Sequence, residues 1–105
     1  MASGGRREEI DARIRQWELT LEQLRLALAC APEEVHAKWN PDFVNLYRQK
    51  EVLKSAWEAI RGIYRPEPEA LRCFEQEWAA MEAAWGGAQP MLTEVLAGET
   101  AQGRS

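Results

Sequence analysis

Few residues in this chain have the types and spacing from which chemistry could be built. His36 is the single histidine, and Glu33 lies three positions before it. On a helix that spacing puts a carboxylate and an imidazole on one face. A di-iron bundle needs the motif in paired copies, which one histidine cannot supply. Cys30 and Cys73, with that one histidine, lack the close spacing of a zinc finger. Gly86-Gly87 is followed by neither Lys nor Ser/Thr and follows no strand pattern, so it is not a phosphate-binding loop. No serine stands near His36 in sequence to serve as a nucleophile. Glu75, Glu77 and Glu82 read as solvated helix surface. Arg6, Arg7, Arg13 and Arg15 make one basic turn that Glu8, Glu9 and Asp11 offset. No catalytic, cofactor-binding or metal-binding residue is assigned, and the expectation is a protein that is not an enzyme.

The bulk numbers exclude further classes. A chain of 105 residues is one domain, and 46% hydrophobic with 29% charged residues is the balance of a globular protein. A net charge of −4 argues against nucleic acid or anionic membrane as partner. No apolar run approaches the roughly 20 residues of a membrane span. The first residues carry no secretory pattern, so the expected location is cytoplasmic, with both cysteines as reduced thiols. Five tryptophans are many for this length.

Helical periodicity must then position whatever function exists. Ile10, Ile14, Trp17, Leu21, Leu24 and Leu28 recur at spacings of 4, 3, 4, 3 and 4, the stripe of a bundle or coiled-coil helix. Pro32 ends that helix and opens a short piece reaching Trp39. Asn40-Pro41-Asp42 reads as the start of a second helix running to about Tyr64. Its core face carries Phe43, Leu46, Leu53, Trp57, Ile60 and Tyr64, widened by Val52, Ala56, Ala59 and Ile63. Arg65-Pro66-Glu67-Pro68 turns the chain into a third helix with Leu71, Phe74, Trp78, Met81, Trp85, Ala88, Leu92 and Val95 in phase. Gly86-Gly87 and Pro90 bend that helix without ending its face. Short turns favour antiparallel neighbours. The predicted fold is all-α: an antiparallel, up-down-up three-helix bundle with kinked short extensions at one end. Residues 8–97 form the domain, between flexible ends at 1–7 and 98–105.

In that fold Trp17, Trp57 and Trp78 fall within about 6 Å of one height and make a central aromatic layer. Cys30 and Cys73 fall about 25 Å apart along the axis, too far for a disulfide. Lys50, inside the apolar stripe, should bury its stem and reach a carboxylate such as Glu82.

Two features exceed what folding requires. Opposite the core stripe of the first helix lie Leu19 and Leu26, with Ala12, Gln23 and Cys30 alongside, a second contact face. At the kinked end, Val35, His36, Trp39, Trp85, Leu92 and Leu96 should meet. Trp85-Gly86-Gly87 is similar to the Trp-x-Gly turn of small secreted helical-hairpin proteins. There the motif occupies the central turn, and the accompanying Tyr and downstream acid are missing here, so no family assignment follows. The expected function is a helical protein–protein interaction module, an adaptor, assembly factor or small regulator. It would bind another protein or itself, as a homodimer, through Leu19, Gln23, Leu26, His36, Trp39 and Trp85. The alternative is a small-ligand carrier or sensor with a pocket lined by Tyr47, Trp57 and Trp85.

Overall fold

The computed structural model describes the backbone of residues 2–104 and the side chains of residues 7–97. Among the described residues it is all-helical, with four helices: α1 (Ala2–Cys30), α2 (Glu33–Arg61), α3 (Pro68–Gly87) and α4 (Gln89–Arg104). The ends expected to be flexible, 1–7 and 98–105, fall outside the described side chains apart from Arg7. The molecule measures 53 × 25 × 18 Å, with a radius of gyration of 16.2 Å. A compact domain of this length would have about 13 Å, so this is an elongated slab.

Each turn has a local cause. Pro32 is extended (φ −55°, ψ 150°) and reverses the chain after Cys30. Glu33 and Glu34 then place carboxylates in the first turn of α2, at the positive end of its dipole. Glu67 is likewise extended (φ −59°, ψ 141°), with Pro68 at the first position of α3, where its missing N–H costs nothing.

Two predicted boundaries are corrected. Asn40-Pro41 does not start a helix: α2 runs through Pro41 without a break. Proline there leaves the Ala37 carbonyl without its helical donor and costs up to about 3 kcal/mol in a helix interior. Val35 and Trp39 before it and Phe43 and Leu46 after it all pack on the core, and that packing holds both halves in helical phase. Gly86-Gly87, conversely, is more than a bend, because α3 stops there. Ala88 (φ −88°, ψ −3°) separates it from α4. The Gln89 side-chain amide donates to the Trp85 carbonyl at 3.2 Å, which also accepts from the Ala88 N–H at 3.1 Å.

The α1 stripe is buried as its period demands, with Trp17, Leu21 and Leu24 at most 1% exposed. Phe43, Leu46, Leu53, Trp57 and Ile60 of α2 join it, as do Met81, Met91 and Val95. Of the shoulder of α2 only Ala56 packs against the core: Val52, Ala59 and Ile63 are exposed, and Tyr64, beyond the helix end, is 92% exposed. Leu71 is exposed too. Helix α1 packs on α2 and α4, and α2 packs on α3. Trp17 bridges from α1 to α3, its ring centroid 5.1 Å from that of Trp78 and 6.2 Å from that of Trp85. Trp57 joins the same ladder through Phe74, at 5.0 Å, and Phe74 lies 5.8 Å from Trp78.

Candidate functional site

Polar contacts along the α1–α2 seam fix which way α1 faces. Asp11 accepts from the Trp57 indole at 2.7 Å and from Arg61 at 2.9–3.1 Å. The Arg61 guanidinium, and then the indole N–H, hold the Asp11 carboxyl below its ordinary pKa. One turn pair further on, Lys54 donates to Glu18 at 2.8 Å, which raises the lysine pKa. Lys50 is 4% exposed, and its ammonium lies 3.1 Å from Glu51, 3.7 Å from Glu18 and 4.2 Å from the Tyr47 ring centroid. Its predicted partner Glu82 is thereby replaced. Lys50 leans toward α1, and helical phase alone could not say which neighbour it would meet.

With α1 held this way, its outer face is bare. Leu19 is 61% and Leu26 51% exposed. Ala12, Gln23 and Cys30 are exposed with them, and so is Gln16, which the sequence reading passed over. These six recur at spacings of 4, 3, 4, 3 and 4, the same rhythm as the core stripe. They make a strip about 27 Å long at 1.5 Å per residue. It holds no charged side chain, and the nearest ion pair is Glu22–Arg25, on its edge. The heptad phase makes Gln16 legible in hindsight, although its polarity hid it.

The other candidate residues do not form one site. The Trp39 indole donates to Glu94 and so ties α2 to α4, with Lys38 3.4 Å from the same carboxylate. That indole, and secondarily Lys38, keep Glu94 below its ordinary pKa. Trp85 is half-buried in the aromatic ladder, whereas His36 is exposed. Val35 and Leu96 pack with Leu92 on the core, so the kinked end does gather its apolar members. They serve the attachment of α4.

The larger clefts are open grooves at the surface. One of about 460 Å³ lies between α1 and α3, lined by Glu9, Ile10, Arg13, Phe74, Glu75 and Trp78. Another of about 390 Å³ adjoins it at the Pro66 turn and includes Trp57. Tyr47 and Trp85 line neither of them, so the three residues expected to line one pocket are dispersed. Among the described residues no group of three or more His, Cys, Asp or Glu is arranged to hold a metal. No helix among the described residues is long and apolar enough to cross a membrane. Both cysteines are free and exposed.

No family model, no curated protein and no solved structure matches this chain.

Proposed function

We propose that the chain is a non-enzymatic helical interaction module of the adaptor or assembly-factor kind. In this reading a three-helix, up-down-up framework extended by α4 presents the outer face of α1 to a partner helix. The observation that carries it is the pair Leu19 and Leu26, 61% and 51% exposed and seven residues apart on an uncharged heptad strip. Single exposed leucines are commonplace. Two of them in heptad register on a helix whose opposite stripe already fills the core have no folding task. The mechanism is helix-on-helix packing, with leucines entering a complementary groove and Gln23 hydrogen-bonding between them. Trp39 and Trp85 support the framework and α4 in this reading, and exposed His36 lies off the strip, so none of the three touches the partner.

Light scattering over a range of concentrations, on the wild type and on Leu19→Glu/Leu26→Glu, tests it. The reading expects any association of the wild type to be lost in the double variant, with helicity unchanged. Association that survives both glutamates would sink it.

A second reading rests on the α1–α3 cleft, whose volume of about 460 Å³ and aromatic wall of Phe74 and Trp78 suit a small amphiphile. There the protein is a carrier or sensor. A fluorescence and thermal-shift screen, repeated on Trp78→Ala, tests it: binding that persists without Trp78 would place the ligand elsewhere.

A further inference from the structure

We propose that the partner of the α1 outer face is a second copy of this chain, paired in parallel and in register. The inference rests on the interaction reading above and adds the occupant and its orientation. In heptad terms Ala12, Leu19 and Leu26 occupy one of the two seam positions, and Gln16, Gln23 and Cys30 occupy the other. In-register parallel pairing sets like on like. Leu19 meets Leu19 of the second copy, Leu26 meets Leu26, and each glutamine meets a glutamine with which its amide can exchange hydrogen bonds. Antiparallel pairing about the middle of the strip sets Leu19 against Gln23 and Leu26 against Gln16. Each leucine would then cover an amide and strip it of water without replacing its hydrogen bonds, at about 1–3 kcal/mol per amide.

The flanking charges separate the two arrangements in the same sense. In parallel pairing the edge of one helix lies beside the opposite edge of the other, which brings Arg15 toward half-buried Thr20, while the position opposite Glu22, Ala27, is buried in its own core. Among these edge residues of α1 no like charges meet. In antiparallel pairing the same edges meet, and the two Glu22 carboxylates run side by side. An uncharged strip lets a chain of net charge −4 meet a copy of itself without repulsion along the contact.

Parallel register puts Cys30 of one copy beside Cys30 of the other, whereas Cys73 lies on α3, away from the seam. The test therefore uses two single-thiol proteins, Cys73→Ser and Cys30→Ser, exposed to copper–phenanthroline, which takes the two electrons as two thiols lose their protons and join. The Cys73→Ser protein is expected to dimerise covalently about tenfold faster or more, because pairing raises the local thiol concentration. Adding Leu19→Glu/Leu26→Glu should abolish that advantage while circular dichroism shows the helices intact.

Mixing the Cys73→Ser protein with an Ala12→Cys/Cys30→Ser/Cys73→Ser protein checks direction. A mixed 12–30 disulfide outrunning the 30–30 product overturns the parallel register and leaves the docking face standing. Equal rates for the two single-thiol proteins, with an associated state that Leu19→Glu/Leu26→Glu splits, do the same. A monomer at every concentration overturns self-pairing and leaves the face to a different protein. Association indifferent to Leu19→Glu/Leu26→Glu overturns both readings.

Discussion

Helix α1 carries two stripes of identical rhythm and opposite fate. The inner one, Ile10 to Leu28, has no member more than 9% exposed, and its Trp17 reaches both Trp78 and Trp85. The outer one, Ala12 to Cys30, has every member exposed. The inner stripe has aromatic and branched side chains at each position. The outer one alternates leucine or a small residue with amide and thiol. The difference separates what folding demands from what it leaves free. Period alone marks a face as a seam, and the chemistry at each step says how strongly that seam must be satisfied. An inner seam of Ile, Trp and Leu is unstable in water, whereas an outer seam with glutamine at alternate steps can stand open in a monomer and close on a partner.

The hardest test of this contrast is Trp17→Ala. A tryptophan 1% exposed at the junction of α1 and α3 should cost about 3–5 kcal/mol, enough to unfold much of a domain this thin. Urea titration followed by circular dichroism measures it. A loss below about 1 kcal/mol would mean that α2 and its neighbours, without the tryptophan bridge, set the fold.

Asp11→Ala comes next and probes what aims the outer stripe away from the core. It leaves the Trp57 indole N–H, on a side chain 8% exposed, without its acceptor, at a cost of about 1–2 kcal/mol at pH 7. Because the folded Asp11 pKa is lowered, its contribution is fully present above the unfolded-state value near 3.8 and is lost as pH falls through the folded value. The stability gap between wild type and variant should therefore hold from neutral pH down to about 5, begin to narrow near 4 and close only below the folded Asp11 value. A gap that widens on acidification would refute the pairing.

The inner stripe of α1 and the identity of its buried residues could be read directly, because a 3/4 rhythm sustained over six positions has one solution, a helix with that face covered. Leu19 and Leu26 were legible for the same reason, from the other side. Pro41 was not. Local rules make Asn40-Pro41-Asp42 a helix start, and only the packing of Val35, Trp39, Phe43 and Leu46 on a common core overrides them. Nor did phase reveal that Lys50 would turn to Glu18 and Glu51, since a period gives the face and not the neighbour. Trp39 looked like a binding residue because the acid it bonds, Glu94, lies on a helix whose path depends on the break at Ala88.

That break gives a prediction of intermediate size. A Cβ at Gly86 or Gly87 would meet nothing within 4 Å, and neither glycine has a positive φ. Replacing either by alanine should stabilise the protein by about 0.5–1 kcal/mol through helix propensity. If thermal melts instead show destabilisation, the glycines are needed to let α4 turn onto α1, and the boundary at Ala88 has a structural use.

The smallest expected effect is the most telling for the outer stripe. Leu19→Ala and Leu26→Ala remove side chains that touch solvent, so at micromolar protein or below each should change stability by less than about 0.5 kcal/mol. Alanine is also the better helix former, which pushes the balance slightly toward stabilisation. An interface formed only in the native state adds stability that grows with the logarithm of protein concentration. The melting temperature of the wild type should therefore rise with concentration, and those of the two alanine variants should not. At low concentration the three melts coincide, and at high concentration they diverge. Curves that coincide throughout would make the outer stripe inert, and the contrast with the inner one would then mark only where the core ends.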